Sequence, residues 1–441
     1  MTANNAATED RARIKRIMLD LLRVSLGDSA AADWISPDML DGDTLNALYQ
    51  LSAYHDVAQN VAAALKMTEL LPKDASLPSG FEKQLMVSMF RYEKLIYTQS
   101  LVCRTLGELE IPHIPLKGAV IRRFYPQPYM RTSCDFDVLV PEHLVGKAVN
   151  ALEASGFVKE CKERHDISMY SSDGVHLELH FALSDPEDPL YCEGLNKVWQ
   201  NGAVFDSEPF ARGDGGEAEN AVSSGGGEAE NAPFQIRSCA FRSTVNAQGI
   251  EGKNRYTGVL CDRYFYWYHI AHMAKHFKQG GCGIRPFLDL WLLKRGGALA
   301  EETPEALDGV GLKDFAEAAE MLTRVWFDGE EHTPVTEEME SFLLAGGLYG
   351  SEENRVAVKT AEKGRGGYVF GRIFKPYDYL VQRYNSLEGK RWLTPVYQVR
   401  RWIDTVFGGG LKRGAREVGL IRNADPEQTK RTSELMNRLG L

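Results

Sequence analysis

The chain has 441 residues, enough for two or three domains and a sizeable core without disulfide or metal staples. Hydrophobic residues make up 44% and charged residues 25%, which excludes wholesale disorder and a fibrous repeat. The net charge of −10 argues against a general nucleic-acid coat, although residues 359–416 alone sum to +9.

Residues 9–26 place Ile14, Ile17, Met18, Leu21, Leu22 and Val24 at helical spacing, with Gly27 as a C-cap. Asp20 and Arg23 break this stretch as a signal peptide, and no apolar run reaches the roughly 20 residues of a membrane span. Seven scattered cysteines without a C-x-x-C pair read as reduced thiols, so a cytoplasmic location is expected. Residues 44–71 and 80–109 read as two further helices, making 1–109 a helical N-terminal region.

The period then changes. Residues 111–116 form a Pro-bearing edge segment, 117–125 a short helix, 134–140 a strand and 144–154 a helix. Strands at 157–163 and 167–170 lead to the Asp173-Gly174 turn and a returning strand at 175–183. A mixed sheet with helices is expected over 110–260. The twice-repeated Gly-Gly-Glu-Ala-Glu-Asn-Ala makes 211–232 a low-complexity surface insertion, and 234–245 adds strands. From Asp262 the helical period returns, giving helices at 262–278, 286–295, 312–327, 336–346, 352–362 and 396–407 and a helical C-terminal domain over 261–441.

The chemistry concentrates in three places. Asp135 and Asp137 share one face of their strand, with Cα atoms roughly 6–7 Å apart. Two carboxylates at that spacing converge on divalent ions, and without a cation they repel. His176, Glu178 and His180 share one face of the returning strand, so Glu178 meets the Asp pair if the strands are neighbours. Upstream, Lys117 and Gly118 stand at a strand-to-helix junction, followed by Arg122, Arg123 and Arg131; cations beside carboxylates suit a metal–polyphosphate site. In the third place, His269, His272 and His276 form a stripe on one helix face, read as packing against the sheet domain or lining a cleft ahead of a zinc site, with Lys275 beside it. Arg285 and Asp289 are spaced to pair with each other. Arg400 and Arg401 among Trp392, Trp402, Ile403, Val406 and Phe407 make a basic amphipathic stretch, read as core packing ahead of a lipid or polyanion contact.

These residues resemble a known pattern. Pro115-Leu116-Lys117-Gly118, Tyr125-Pro126-Gln127-Pro128, Arg131, Asp135-Phe136-Asp137-Val138-Leu139-Val140 and Leu177-Glu178-Leu179-His180 are similar to the polymerase-β-like nucleotidyltransferase superfamily, and more narrowly to its bacterial uncharacterised nucleotidyltransferase family. A second block, His272-Met273-Ala274-Lys275-His276-Phe277 with Gly283-Ile284-Arg285 and Asp289-Leu290, looks like that family's helical continuation.

The resemblance implies an α+β fold, with a polymerase-β-like core flanked by helical regions. It implies that Asp135, Asp137 and Glu178 bind Mg²⁺ or Mn²⁺ and carry nucleotidyl transfer from a nucleoside triphosphate such as ATP. Lys117, Gly118, Arg131, His272, Lys275 and His276 would bind the nucleotide. The acceptor would be a small-molecule or protein hydroxyl, with a long nucleic acid disfavoured by the acidic bulk. Lys117-Gly118 stands where the superfamily has Gly-Ser or Gly-Gly. That departure motivates the alternative of a catalytically inactive nucleotide- or partner-binding module on the same fold.

Overall fold

The computed structural model describes residues 2–71, 77–185, 193–205, 255–347, 350–407, 419–421 and 425–441. The chain divides into two compact units, one of residues 1–86, 270–292 and 303–441, the other of residues 87–269 and 293–302.

The second unit is built on a five-stranded sheet: β1 (Ile114–Pro115), β2 (Asp135–Leu139), β3 (Val158–Lys162), β4 (Asp166–Tyr170) and β5 (His176–His180), in the order β1-β2-β5-β4-β3. Only β2 and β5 run parallel; the other neighbours are antiparallel, so the sheet is mixed. Strand alternation decides its two faces. Phe136, Val138, Ile167, Met169, Leu177 and Leu179 point into the core. There they meet Ala148, Val149 and Leu152 of the helix Val145–Ala154, and Leu95, Val102, Cys103 and Leu106 of the helix Ser79–Glu108. Each such side chain contributes about 1.5–3 kcal/mol of hydrophobic stabilisation. The opposite face keeps the polar residues. β4 and β5 are joined at Gly174, whose φ of +77° an L-residue disfavours. Proline fits β1 because this strand lies at the edge, and the other edge strand, β3, is exposed along its whole length and carries Lys159, Glu160 and Lys162.

The first unit is helical. Its opening helix spans Thr2–Ser25. The single helix expected over 44–71 is instead two, Gly42–Tyr54 and Ala58–Met67. Asp56 takes φ +56°, and the amides of Asp56 and Val57 return to the carbonyls of Ala53 and Ser52, a Schellman ending that helical periodicity does not register. Helices Asp262–Lys278, Arg285–Arg295, Lys313–Phe327, Pro334–Gly346 and Thr394–Phe407 stand close to the expected positions. The helix expected at 352–362 continues as Glu352–Ile373, bent where Gly364 leaves helical geometry. Tyr377–Arg383 and Pro426–Arg438 add two helices that the sequence pattern left unassigned. The insertion at 211–232 and the strands expected at 234–245 lie outside the described residues. Arg285, which spacing suggests for Asp289, donates to Asp56 at the break between the two early helices.

Candidate active site

The parallel pairing of β2 with β5 sets Asp135 opposite His176 and Asp137 opposite Glu178. The antiparallel pairing of β4 sets Asp166 opposite His180 and Ser168 opposite Glu178. Two registers therefore converge acids and histidines from three strands on one face of the sheet.

Asp137 sits at the centre, buried. Lys117 Nζ donates to Asp137 Oδ1 at 2.9 Å, and His180 Nε2 lies 3.0 Å from the same oxygen and 3.3 Å from Glu178 Oε2. Burial opposes ionisation of Asp137, but Lys117 and then His180 outweigh it and hold the carboxyl well below its ordinary range. Burial likewise opposes charge on Lys117, yet Asp137 keeps the ammonium protonated. His180 follows the same logic: hydrogen bonds to Asp137 and Glu178 overcome burial and push it up to about 9. This is a buried cluster in which Asp137 is flanked by two internal cations.

Lys117 reaches Asp137 through its backbone. The amide of Leu116 donates to the carbonyl of Asp137 at 3.0 Å, docking the chain beside β2. Lys117 then adopts φ +40°, a conformation that costs an L-residue roughly 1–3 kcal/mol, and the short helix Gly118–Ile121 begins. Asp135 is held separately, its Oδ1 accepting from Ser133 Oγ at 2.5 Å.

A cationic cradle lies beside Asp135. A Cβ added to Gly118 would stand 2.6 Å from a guanidinium nitrogen of Arg131, 3.3 Å from Ser133 Oγ and 3.4 Å from Arg122 Nη2. Arg122 is only 2% exposed; its Nε donates to the carbonyl of Gly118 at 2.6 Å, and its Nη1 has no partner. Burial, and then the proximity of Arg131, push Arg122 down to about 9. A buried guanidinium with an unspent donor is costly unless an anion meets it.

Among the described residues, two donor groups have ligand atoms within 4.8 Å of one another: Asp137, Glu178 and His180; and His165, Asp166 and His180. The carboxylates of Asp137 and Glu178 suit a divalent cation, and His180 would join them only on losing its proton. Neither group contains a histidine of the helix Asp262–Lys278. In that helix His272 and His276 bond each other through their Nε2 atoms at 3.1 Å, so one donates and the other accepts. His272, Lys275 and His276 belong to the first unit, Lys117, Gly118, Arg131, Asp135, Asp137 and Glu178 to the second.

Residues 41–208 match the family model of an uncharacterised nucleotidyltransferase. The match bears out the family resemblance carried by the strand acids, and it spans every residue of the sheet-face cluster. No curated protein and no solved structure matches the chain. Within the matched region the sequence pattern singles out Asp135, Asp137, Glu178, Lys117, Gly118 and Arg131. It places His180 on the face of Glu178 without giving it a role, and it passes over Asp166 and Ser133. The signal for Asp166 was present: a turn at Asp173-Gly174 that pairs Tyr170 with His176 carries Asp166 to His180. Ser133 had no such signal, since a serine before a strand has many uses.

Proposed function

We propose that the chain transfers a nucleoside monophosphate from a nucleoside triphosphate to a hydroxyl of a small molecule or protein, releasing pyrophosphate. The observation that carries this reading is the register pair Asp137–Glu178 beside the Gly118 cradle, within a segment of nucleotidyltransferase type. Asp137 and Glu178, with Asp135 from the same strand face, would hold Mg²⁺ or Mn²⁺. Such an ion supplies charge neutralisation at the triphosphate and activation of the attacking oxygen.

The chain's own groups do the positioning. Lys117 offers a point charge, and Arg131 and Arg122 offer planar forks, to phosphate oxygens close to Gly118, where the missing side chain leaves room. His180 keeps a proton between Asp137 and Glu178 and fixes their orientation. Glu178, its side chain 28% exposed against 3% for Asp137, is the acid an incoming hydroxyl meets.

A second reading rests on Lys117. Its ammonium already neutralises Asp137, the arrangement expected of a module that binds nucleotide or a partner without turnover. Thermal shift against ATP, GTP, CTP and UTP, with and without Mg²⁺, tests the first half of the proposal. The expected result is a metal-dependent rise for at least one nucleotide, reduced in Asp135→Asn and Glu178→Gln. Pyrophosphate release across a panel of hydroxyl acceptors tests the second half. Binding without any release selects the module, and no binding to any nucleotide overturns the transfer reading and leaves the partner-binding form of the module.

A further inference from the structure

The helix Thr394–Phe407 is locked to its own unit along one side only. Arg401 donates to the carbonyl of Ile373 at 2.5 Å, Trp402 Nε1 to the same carbonyl at 2.9 Å, and Gln398 to the carbonyl of Lys375 at 2.8 Å. Phe374 packs edge-on against Trp402 with ring centroids 5.5 Å apart. Those contacts turn the opposite side outward. Trp392 is 77% exposed, Val396 60%, Val399 48%, Ile403 50% and Val406 46%. The spacing is four, three, four, three, one continuous stripe down the helix and the turn before it. The other exposed residues between 391 and 406 are Arg391, Pro395 and Arg400. Asp404, the acid of this stretch, is partly buried and accepts from Tyr384.

Apolar side chains exposed in an unbroken row are costly in water, so the row asks for a cover. We infer that this helix docks in the plane of an anionic lipid bilayer, its apolar stripe entering the headgroup boundary and its arginines meeting lipid phosphates. Charge complementarity selects that occupant. Residues 359–416 carry +9 in a chain of −10 overall, and Arg391 and Arg400 of this stretch are exposed. Each cation near an anionic surface adds to the attraction, and Trp at the end of the stripe suits the interface between water and acyl chains. A second copy of the chain fits less well. Fourteen residues make two heptads, short of the three or four that sustain a coiled coil, and pairing two copies would gather arginines without a compensating acid. No helix among the described residues is long and apolar enough to cross a membrane, so the contact is a surface one.

Cosedimentation of the full chain with vesicles tests the inference. One set is phosphatidylcholine alone; the other is an equal mixture of phosphatidylcholine and phosphatidylglycerol. The expected result is binding to the mixed vesicles, weakened by salt, with little binding to the neutral ones. Trp392→Ser with Ile403→Ser should lower the partition coefficient at least about tenfold, while the melting temperature stays unchanged because both residues are exposed. Arg391→Glu with Arg400→Glu should act on the mixed vesicles alone. The inference is overturned if the wild-type chain ignores both vesicle types, or if the serine variant binds as the wild type does. It is also overturned if light scattering shows a dimer that the serine variant abolishes, which would make a second copy the occupant.

Discussion

Asp137 is the residue on which the cluster depends. Removing its charge takes away the group that holds the protons of Lys117 and His180 against burial. Loss of one partner from a buried ion pair costs about 3–5 kcal/mol, so Asp137→Asn should destabilise the protein by about 3 kcal/mol or more in urea unfolding. Lys117→Met in the same background should recover part of that loss, since it removes one of the stranded charges. A double-mutant cycle with strictly additive losses would show that the 2.9 Å contact carries no coupling. Arg122 predicts the reverse balance. Its buried guanidinium has one nitrogen with no partner, so Arg122→Met should be neutral or stabilising by about 1 kcal/mol while weakening nucleoside triphosphate binding about tenfold or more. Isothermal titration beside urea unfolding separates the two effects. A strongly destabilised variant with unchanged nucleotide affinity would make Arg122 a packing residue.

At the scale of elements, strands were legible because period-two alternation is forced by geometry. Phe136 and Val138 inward and Asp135 and Asp137 outward could be read before any coordinates, and so could the shared face of Glu178 and His180. What alternation cannot reveal is which strands are neighbours. Glu178 joins Asp137 only because β5 inserts between β2 and β4, a fact of topology. Long-range partners were hidden for the same reason: Arg285 donates to Asp56 across 229 positions, a contact that no local spacing announces. Helix breaks without Gly or Pro were also hidden, as Asp56 shows. The β4–β5 turn tests how much local chemistry supports the site. Gly174→Ala places a side chain at φ +77° and should cost about 1 kcal/mol. Nothing stands within 4 Å of the added Cβ, so the loss should be conformational, and metal-dependent nucleotide stabilisation should survive it. Loss of that stabilisation at unchanged helix content would mean that the turn also sets the register of Asp166 with His180.

For the whole molecule, buried histidines set the pH range of stability, and they act in opposite directions. His55 lies in the first unit and His113 in the second, both fully buried. His113 is a neutral ring with its Nδ1 2.9 Å from the carbonyl of Ile111 and its Nε2 2.9 Å from the hydroxyl of Thr257. Neither nitrogen of His55 has a partner. Burial pushes each down to about 4 from an ordinary 6.5. Below 6.5 the unfolded chain takes up protons that the folded chain refuses, so stability falls as pH drops from 6.5 towards 4. By pH 5 the loss should be about 2 kcal/mol per histidine. His180 has the other sign. Its folded value of about 9 exceeds the ordinary one, so its contribution is complete below 6.5 and is lost as pH rises through 9. The low value of Asp137 matters only below its ordinary 3.8, outside both windows. Urea unfolding should therefore give greatest stability near pH 6.5, with a decline on either side. His55→Leu, which fills its site without a titrating group, should flatten the acid limb alone. A profile unchanged by that substitution would place the acid sensitivity elsewhere, and an alkaline limb that persists in His180→Gln would remove His180 as its cause.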